Sequence, residues 1–555
     1  MSAPALVDLL IRGGLVVDGT GAAGRLADVL VGSGRIVDVL PPGEFSGTAT
    51  ETIDAHGSVV APGFVDIHAH SDLAVIAAPG AEQKLRQGVT TEVVGNCGIS
   101  VVPVSPGFAS ESHQYATPVL GFPELDWGWS DVDGYLARVD AARPAVNVAT
   151  YVGLGSIRAA VMGFRPGTPT PEERLEMVDL AAAALEQGAV GLSSGLVYAP
   201  GSYSSHDEIC EIVEQAARYG ALYSSHMRDQ GDGFLVSVTE TIDVGRRTGA
   251  AVQIAHHKVV GERNWGAVTE SIAMIRHARA TGIDAGSDVY PYLAGSTTMT
   301  ALLPDWALAG GPDAMLERLA DAAVRARIKS DWVTGRPQWD NRVASIGWGN
   351  IYISHLETEG NQDLVGLSVT QAATLRARAE GPEDFLLDLL LAEGGAVGNI
   401  QVACSEHDLR VVMREPSTSF GSDGLFVGRR PHPRLHGTFP RVLGEYVREE
   451  GVLLLEEAIR KMTSLPAGRV GLSDVGTIMR GYRADLVVFD PMTVSSAASY
   501  DSPTENPIGI HAVVVNGRIA LIDGEPTGVR AGVALRRASV RGPARSDTRL
   551  AGTSR

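Results

Sequence analysis

Apolar and polar positions along this chain follow two different periods. Over the first sixty residues, short apolar runs are separated by glycine-rich turns. Leu9-Leu10-Ile11 and Leu15-Val16-Val17 flank Gly13-Gly14, and the runs 27–31 and 35–40 flank Gly32-Ser33-Gly34. That pattern predicts small antiparallel sheets. From about residue 172 the period lengthens. Helical spacing over 172–188, 206–220, 234–249 and 268–282 alternates with strand-like runs over 189–196, 221–227, 250–258 and 283–292. Successive strands start about 30 residues apart, the size of one βα unit. Each helix ends at a glycine (Gly188, Gly220, Gly249, Gly282), as a left-handed cap prefers. Repeated βα units imply a parallel sheet, either a closed barrel or an open doubly wound sheet.

The rhythm breaks over about 300–395, which holds Leu303-Pro304-Asp305-Trp306, Gly310-Gly311-Pro312 and helical stretches rich in Arg and Glu. We read this as an insertion lying over the barrel mouth like a lid. The rhythm returns at 394–405 and 417–424, followed by helices to about residue 472. Past Gly476 the chain is strand-like again over 484–489 and 511–515, with Asn516-Gly517 turning into 518–522. An Asn-Gly turn between apolar runs is a strong hairpin signal. The simplest packing joins both chain ends into one small β domain. The expected organisation is therefore residues 1–62 with 476–540 as the β domain, 63–475 as the βα domain, and 541–555 as a disordered tail.

Composition narrows the function classes. A chain of 555 residues with 44% hydrophobic content is not a disordered polymer. Acidic residues number 65 against 46 basic ones, a net charge of −19. That balance argues against nucleic acid or an anionic membrane as partner. Three cysteines cannot form a disulfide framework and fit a reducing compartment. MSAPALVDLLIRGG has no basic segment followed by an uninterrupted apolar one, and no apolar run reaches the roughly 18 residues of a membrane helix. The expectation is a cytoplasmic globular protein, with oligomerisation left open. No GxGxxG stands at a first βα turn, which disfavours a dinucleotide-binding fold.

Candidate chemistry gathers at strand ends. In Pro62-Gly63-Phe64-Val65-Asp66-Ile67-His68-Ala69-His70, an apolar run leads into His-x-His. Strand residues two apart point the same way, so His68 and His70 present both imidazoles to one side. Neutral imidazoles are good zinc ligands. Cys97 ends the next strand in a glycine-flanked turn, His226 and His256 end two strands one βα unit apart, and Asp423 ends the last. Each alone has an ordinary structural explanation; together they outline a metal site at the mouth of a barrel. His257 should face away from His256. Cys210 and Cys404 read as ordinary core residues.

These segments resemble the amidohydrolase superfamily, and more closely its N-acyl-D-amino-acid deacylases (D-aminoacylases). The likeness runs along nearly the whole chain through DLLIRGGLVVDGTG, GFVDIHAHSD, GVTTEVVGNCGIS, GLSSGLVYAPG, SSHMRDQGD, AHHKVVG, DVYPYLAGST, GSDG, HPRLHGTFPR, SLPAGRVGL and GYRADLVVFD. The NCG segment discriminates most, because many binuclear relatives bridge their metals with a carboxylated lysine where this family uses cysteine. The resemblance implies a distorted, TIM-like (β/α)8 barrel with a small β-sandwich built from both chain ends. It implies zinc held tightly by Cys97, His226 and His256, and a second, weaker site at His68, His70 and Asp423. It makes Asp423 the general base and places Tyr198, Lys258, Tyr290, Ser296 and Arg434 on the substrate, an N-acyl amino acid or related amide. One departure is Leu154, where relatives often carry histidine. The alternatives are cyclic-amide hydrolysis on the same scaffold and a non-catalytic relative.

Overall fold

The computed structural model describes residues 5–122, 124–377 and 381–537, so the predicted tail at 541–555 lies outside the described residues. Eight parallel strands form its centre. They are β1 (Phe64–Asp66), β2 (Val89–Val94), β3 (Asn147–Gly153), β4 (Gly191–Gly195), β5 (Leu222–His226), β6 (Ala251–Ile254), β7 (Ala285–Val289) and β8 (Thr418–Phe420). They are hydrogen-bonded in chain order. The ring closes beyond the ends of β1 and β8, where Ala69–His70 pairs in parallel with Gly424–Leu425. The closing link is thus made by the segments that carry His-x-His and Asp423. Strands such as β3 are buried along their whole length, as expected when helices cover the outside and side chains fill the inside.

The predicted helices form with short changes at their ends: Pro171–Glu186, His206–Arg218, Phe234–Thr248 and Val268–Ala280. Thr170 and Glu173 build a reciprocal cap at the start of the first, satisfying two free backbone donors. Gly249 takes the left-handed conformation directly after Thr248.

Both chain ends meet in a nine-stranded sheet. Leu6–Val16, Arg25–Gly32, Arg35–Leu40, Thr48–Asp54 and Val59–Pro62 join Leu486–Phe489, Ile510–Val515, Arg518–Ile522 and Glu525–Pro526. Val59–Pro62 runs antiparallel to Leu486–Phe489, with Leu486 opposite Pro62. Alternation sorts the side chains of this strand. Leu486 and Val488 pack with Leu9, Ile11 and Val29 in the sheet's own core, while Val487 and Phe489 join the barrel's cluster.

The insertion is larger than the sequence suggested. Gly398–Val402, read as the barrel resuming, pairs antiparallel with Ala294–Thr298 and Ile351–His355 in a separate three-stranded sheet. A short run between turns carries the same signature in either sheet, which is why the pattern misplaced it. The segment has a core of its own, including Trp332, Phe385, Leu386 and Leu390. Among the described residues, no helix is long and apolar enough to cross a membrane.

Candidate active site

The candidate residues stand at or just beyond the C-terminal ends of the barrel strands. His226 is the last residue of β5; Cys97, His256 and Asp423 lie in the turns after β2, β6 and β8. These three have φ of 54°, 35° and 51°, in the left-handed region. Such a conformation costs a non-glycine residue about 1–3 kcal/mol and gathers at functional sites. Here it turns three side chains inward over the barrel axis. His257, the neighbour of His256, points away and bonds Ser271 Oγ through Nε2 at 2.8 Å.

Two overlapping clusters result, one of Cys97, His226 and His256, the other of His68, His70, Cys97 and Asp423. All are buried. Cys97 Sγ is 3.5 Å from His256 Nε2 and 3.3 Å from His68 Nε2. His256 Nε2 lies 2.8 Å from His226 Nδ1. Asp423 Oδ1 is 3.1 Å from His70 Nε2 and 3.5 Å from His68 Nε2. The usual zinc–sulfur and zinc–nitrogen bonds set at a tetrahedral angle separate the two ligand atoms by about 3.6 Å, and the Cys97–His256 spacing matches. The far nitrogens His70 Nδ1 and His226 Nε2 are buried with no hydrogen-bond partner. Two imidazoles and a sulfur turned toward one point is a donor set that suits zinc.

The surroundings set the charges. Burial opposes ionisation of Cys97, but the neighbouring histidines His68 and His256 outweigh it and hold the thiol well below its ordinary range. Burial likewise opposes ionisation of Asp423, and Arg434 leads the interactions that keep it a carboxylate. Arg434 Nη1 is 2.8 Å from Asp423 Oδ2, and its Nη2 donates to the Ser296 carbonyl at 3.1 Å. Burial pushes the Lys258 ammonium down to about 8. Lys258 and Arg434 both lie over the Tyr290 ring, at 5.1 and 4.7 Å from its centre. The Tyr290 hydroxyl is buried without a partner. Tyr198 bonds Thr297 Oγ1 at 2.9 Å, and Ser296 Oγ donates to the Asn399 carbonyl at 2.8 Å. One cavity is lined by all of the sequence-derived candidates except His68, which lies beneath it. Leu154 packs in the barrel core.

Several residues at this site were not singled out from the sequence. Asp288, at the end of β7, accepts from the His256 backbone at 2.8 Å and lies 3.0 Å from His68 Nδ1, so it orients two candidate ligands. Gln230 lies 3.1 Å from His256 Nδ1 and accepts from Arg342 of the insertion at 2.7 Å. Under the mouth, Lys84 Nζ is held by Asp66 at 2.7 Å, Glu92 at 2.9 Å and Ser422 Oγ at 3.0 Å, all buried. Asp288 opens the segment DVYPYLAGST and Gln230 lies in SSHMRDQGD, but a strand-end aspartate or a loop glutamine carries no spacing signal of its own.

Known proteins share this arrangement. The amidohydrolase family signature matches residues 51–341 and 405–521. An N-acyl-D-glutamate deacylase of Alcaligenes xylosoxydans xylosoxydans is 38% identical over 97% of this chain and 98% of its own. A D-aminoacylase of the same organism is 37% identical over 96% of this chain and 98% of its own. The crystal structure of N-acyl-D-glutamate deacylase from Bordetella bronchiseptica, complexed with zinc and a phosphonate inhibitor, superposes with a TM-score of 0.81. That pair is 34% identical, and the match covers 96% of this chain and 99% of the other. By signature, sequence and fold alike, the chain belongs to the amidohydrolase family, among its N-acyl-D-amino-acid deacylases.

Proposed function

We propose that this protein hydrolyses the amide bond of N-acyl-D-amino acids, releasing a carboxylate and a free D-amino acid. The observation that carries the reading is the convergence of Cys97, His226 and His256 with His68, His70 and Asp423 opposite Lys258 and Tyr290. The D series rests on the named relatives, an N-acyl-D-glutamate deacylase and a D-aminoacylase.

Cys97, His226 and His256 would hold a tight zinc, and His68, His70 and Asp423 a second, weaker one. When bound, zinc supplies Lewis acidity at the scissile carbonyl and makes water acidic near neutrality. Asp423 takes a proton from the attacking water and returns it to the departing nitrogen. Arg434 keeps that carboxylate ionised and fixed. Lys258 and the free Tyr290 hydroxyl hold the substrate α-carboxylate, with Tyr198 and Ser296 bordering the same space. Holding the substrate at two points turns the reaction into an oriented, intramolecular one. Tyr290, Asp423 and Arg434 are buried, and charged contacts made away from bulk water are stronger.

The test is release of free amino acid from matched N-acetyl-D- and N-acetyl-L-amino acids by the zinc-loaded protein. Release from the D series alone is expected; silence on both series with zinc bound would overturn the reading. A second expectation concerns Gln230, which braces His256 from behind. Gln230→Ala should weaken zinc binding about 10- to 100-fold, read by competition with a chelator. Unchanged zinc affinity would remove Gln230 from the metal's support.

A further inference from the structure

Beside the metal pocket lies a second cavity of about 160 Å³, walled by Ile99, Tyr115, Val119, Phe164, Leu308 and Met315 among others. Among the described residues, no Asp, Glu, Lys, Arg or His lines it. Ile99, Val119 and Tyr198 line both cavities, so the second is an annex of the first.

Its place on the ring decides what it receives. Ile99 and Val119 come from the segment after β2, Phe164 from that after β3 and Tyr198 from that after β4. Lys258 and Tyr290, which hold the carboxylate, come from the segments after β6 and β7. In a ring of eight strands, β3 stands opposite β7. The annex and the carboxylate-holding side therefore face each other across the ligand cluster. The insertion completes the roof of the annex. It reaches over the mouth to the β3 side, where Gly310 N donates to the Phe164 carbonyl at 3.0 Å.

An N-acyl amino acid is extended across its planar amide. The carboxylate and the D side chain hang from the Cα end, and the acyl substituent leaves from the carbonyl end. With the carboxylate at Lys258 and the scissile carbonyl over the ligand cluster, the acyl substituent points into the annex. We propose that the annex is an acyl subsite and that the preferred substrates carry an apolar acyl group larger than acetyl. The proposal rests on the deacylase reading above. The reaction is unchanged: the C–N bond breaks, water supplies the acid's hydroxyl and the amine's proton, and the released acid is the longer one. Space of about 150 Å³ is enough for a benzene-sized molecule, and the annex wall is apolar apart from Gln114, Thr298 and Thr300. The annex therefore suits a phenylacetyl ring or a chain of about six carbons.

The experiment measures kcat/KM on two panels with the zinc-loaded protein. One varies the acyl group (acetyl, butyryl, hexanoyl, phenylacetyl) on a single D-amino acid. The other keeps acetyl and varies the side chain through D-alanine, D-leucine and D-phenylalanine. Burial of each added methylene is worth about a fourfold gain, so kcat/KM should climb through hexanoyl, chiefly by a lower KM. Met315→Trp, which fills the annex, should bring the hexanoyl-to-acetyl ratio toward one. Leu308→Trp provides an independent filling variant, and the thermal midpoint checks that each folds. A flat or falling acyl series would overturn the proposal, as would filling variants that depress the side-chain panel and spare the acyl ratio. In either case release from the D series would leave the deacylase reading standing. No release from any compound would overturn that reading, and the acyl subsite with it.

Discussion

Asp423→Asn should lower kcat for N-acyl-D-amino-acid hydrolysis by about 10²- to 10⁴-fold, the usual contribution of a positioned acid–base group, while zinc assigned above to Cys97, His226 and His256 is retained. Two jobs fall to two overlapping clusters. Asp423 lies beside His68 and His70, whereas Cys97, His226 and His256 form a cluster without it. The substitution keeps the shape of the side chain and removes its ability to take a proton. It also leaves Arg434 without its ion-pair partner at 2.8 Å, so the thermal midpoint is measured alongside kcat. Zinc content separates the outcomes. Activity lost with zinc retained supports the division of labour; zinc lost together with activity would contradict it.

Lys84→Met should destabilise the fold by about 3–5 kcal/mol at pH 7, the cost of removing one partner from a buried charge cluster. Among the described residues, Lys84 is the one cation paired with both Asp66 and Glu92, and all three are buried. Asp66 in turn accepts from the Ser422 backbone at 2.8 Å, which ties β1 to the turn carrying Asp423. Burial opposes the Lys84 charge, but Asp66 and Glu92 outweigh it and hold the ammonium above the ordinary lysine range. Denaturant midpoints of the variant read the deficit. A loss below about 1 kcal/mol would mean that the charge cluster contributes no more than an exposed ion pair.

The sequence made the fold legible wherever a repeat imposed itself. Four βα units announced themselves through helix-length periods ending at glycines, and the Asn516-Gly517 hairpin through its turn chemistry. Closure of the ring was not legible from pattern. It depends on Ala69–His70 meeting Gly424–Leu425, a contact between distant segments that leaves no local trace and entered through resemblance. The insertion strand Gly398–Val402 was misplaced because apolar runs do not say which sheet they join. At the site, His-x-His stood out because its spacing matches a strand's period, yet His68 lies between the short strands Phe64–Asp66 and Ala69–His70. The supporting residues Asp288, Gln230 and Lys84 were invisible for a different reason. Asp288 meets His68, Gln230 meets Arg342 and Lys84 meets Ser422 from separate segments of the chain, and no spacing along one segment encodes that.

The pairing of Val59–Pro62 with Leu486–Phe489 also bears on how the protein is made. Val59–Pro62 leads directly into β1, so the first strand of the barrel is anchored to a strand made roughly 400 residues later. Until then the nascent chain carries an unpaired, apolar strand edge beside a barrel that lacks its seam. Pairings this distant slow folding, and open edges of this kind invite association with other chains. Arrival of Leu486–Phe489, rather than emergence of the barrel, is then the moment at which the chain commits to its native form. Loss of the last strands by premature termination should yield an insoluble product rather than a smaller working enzyme.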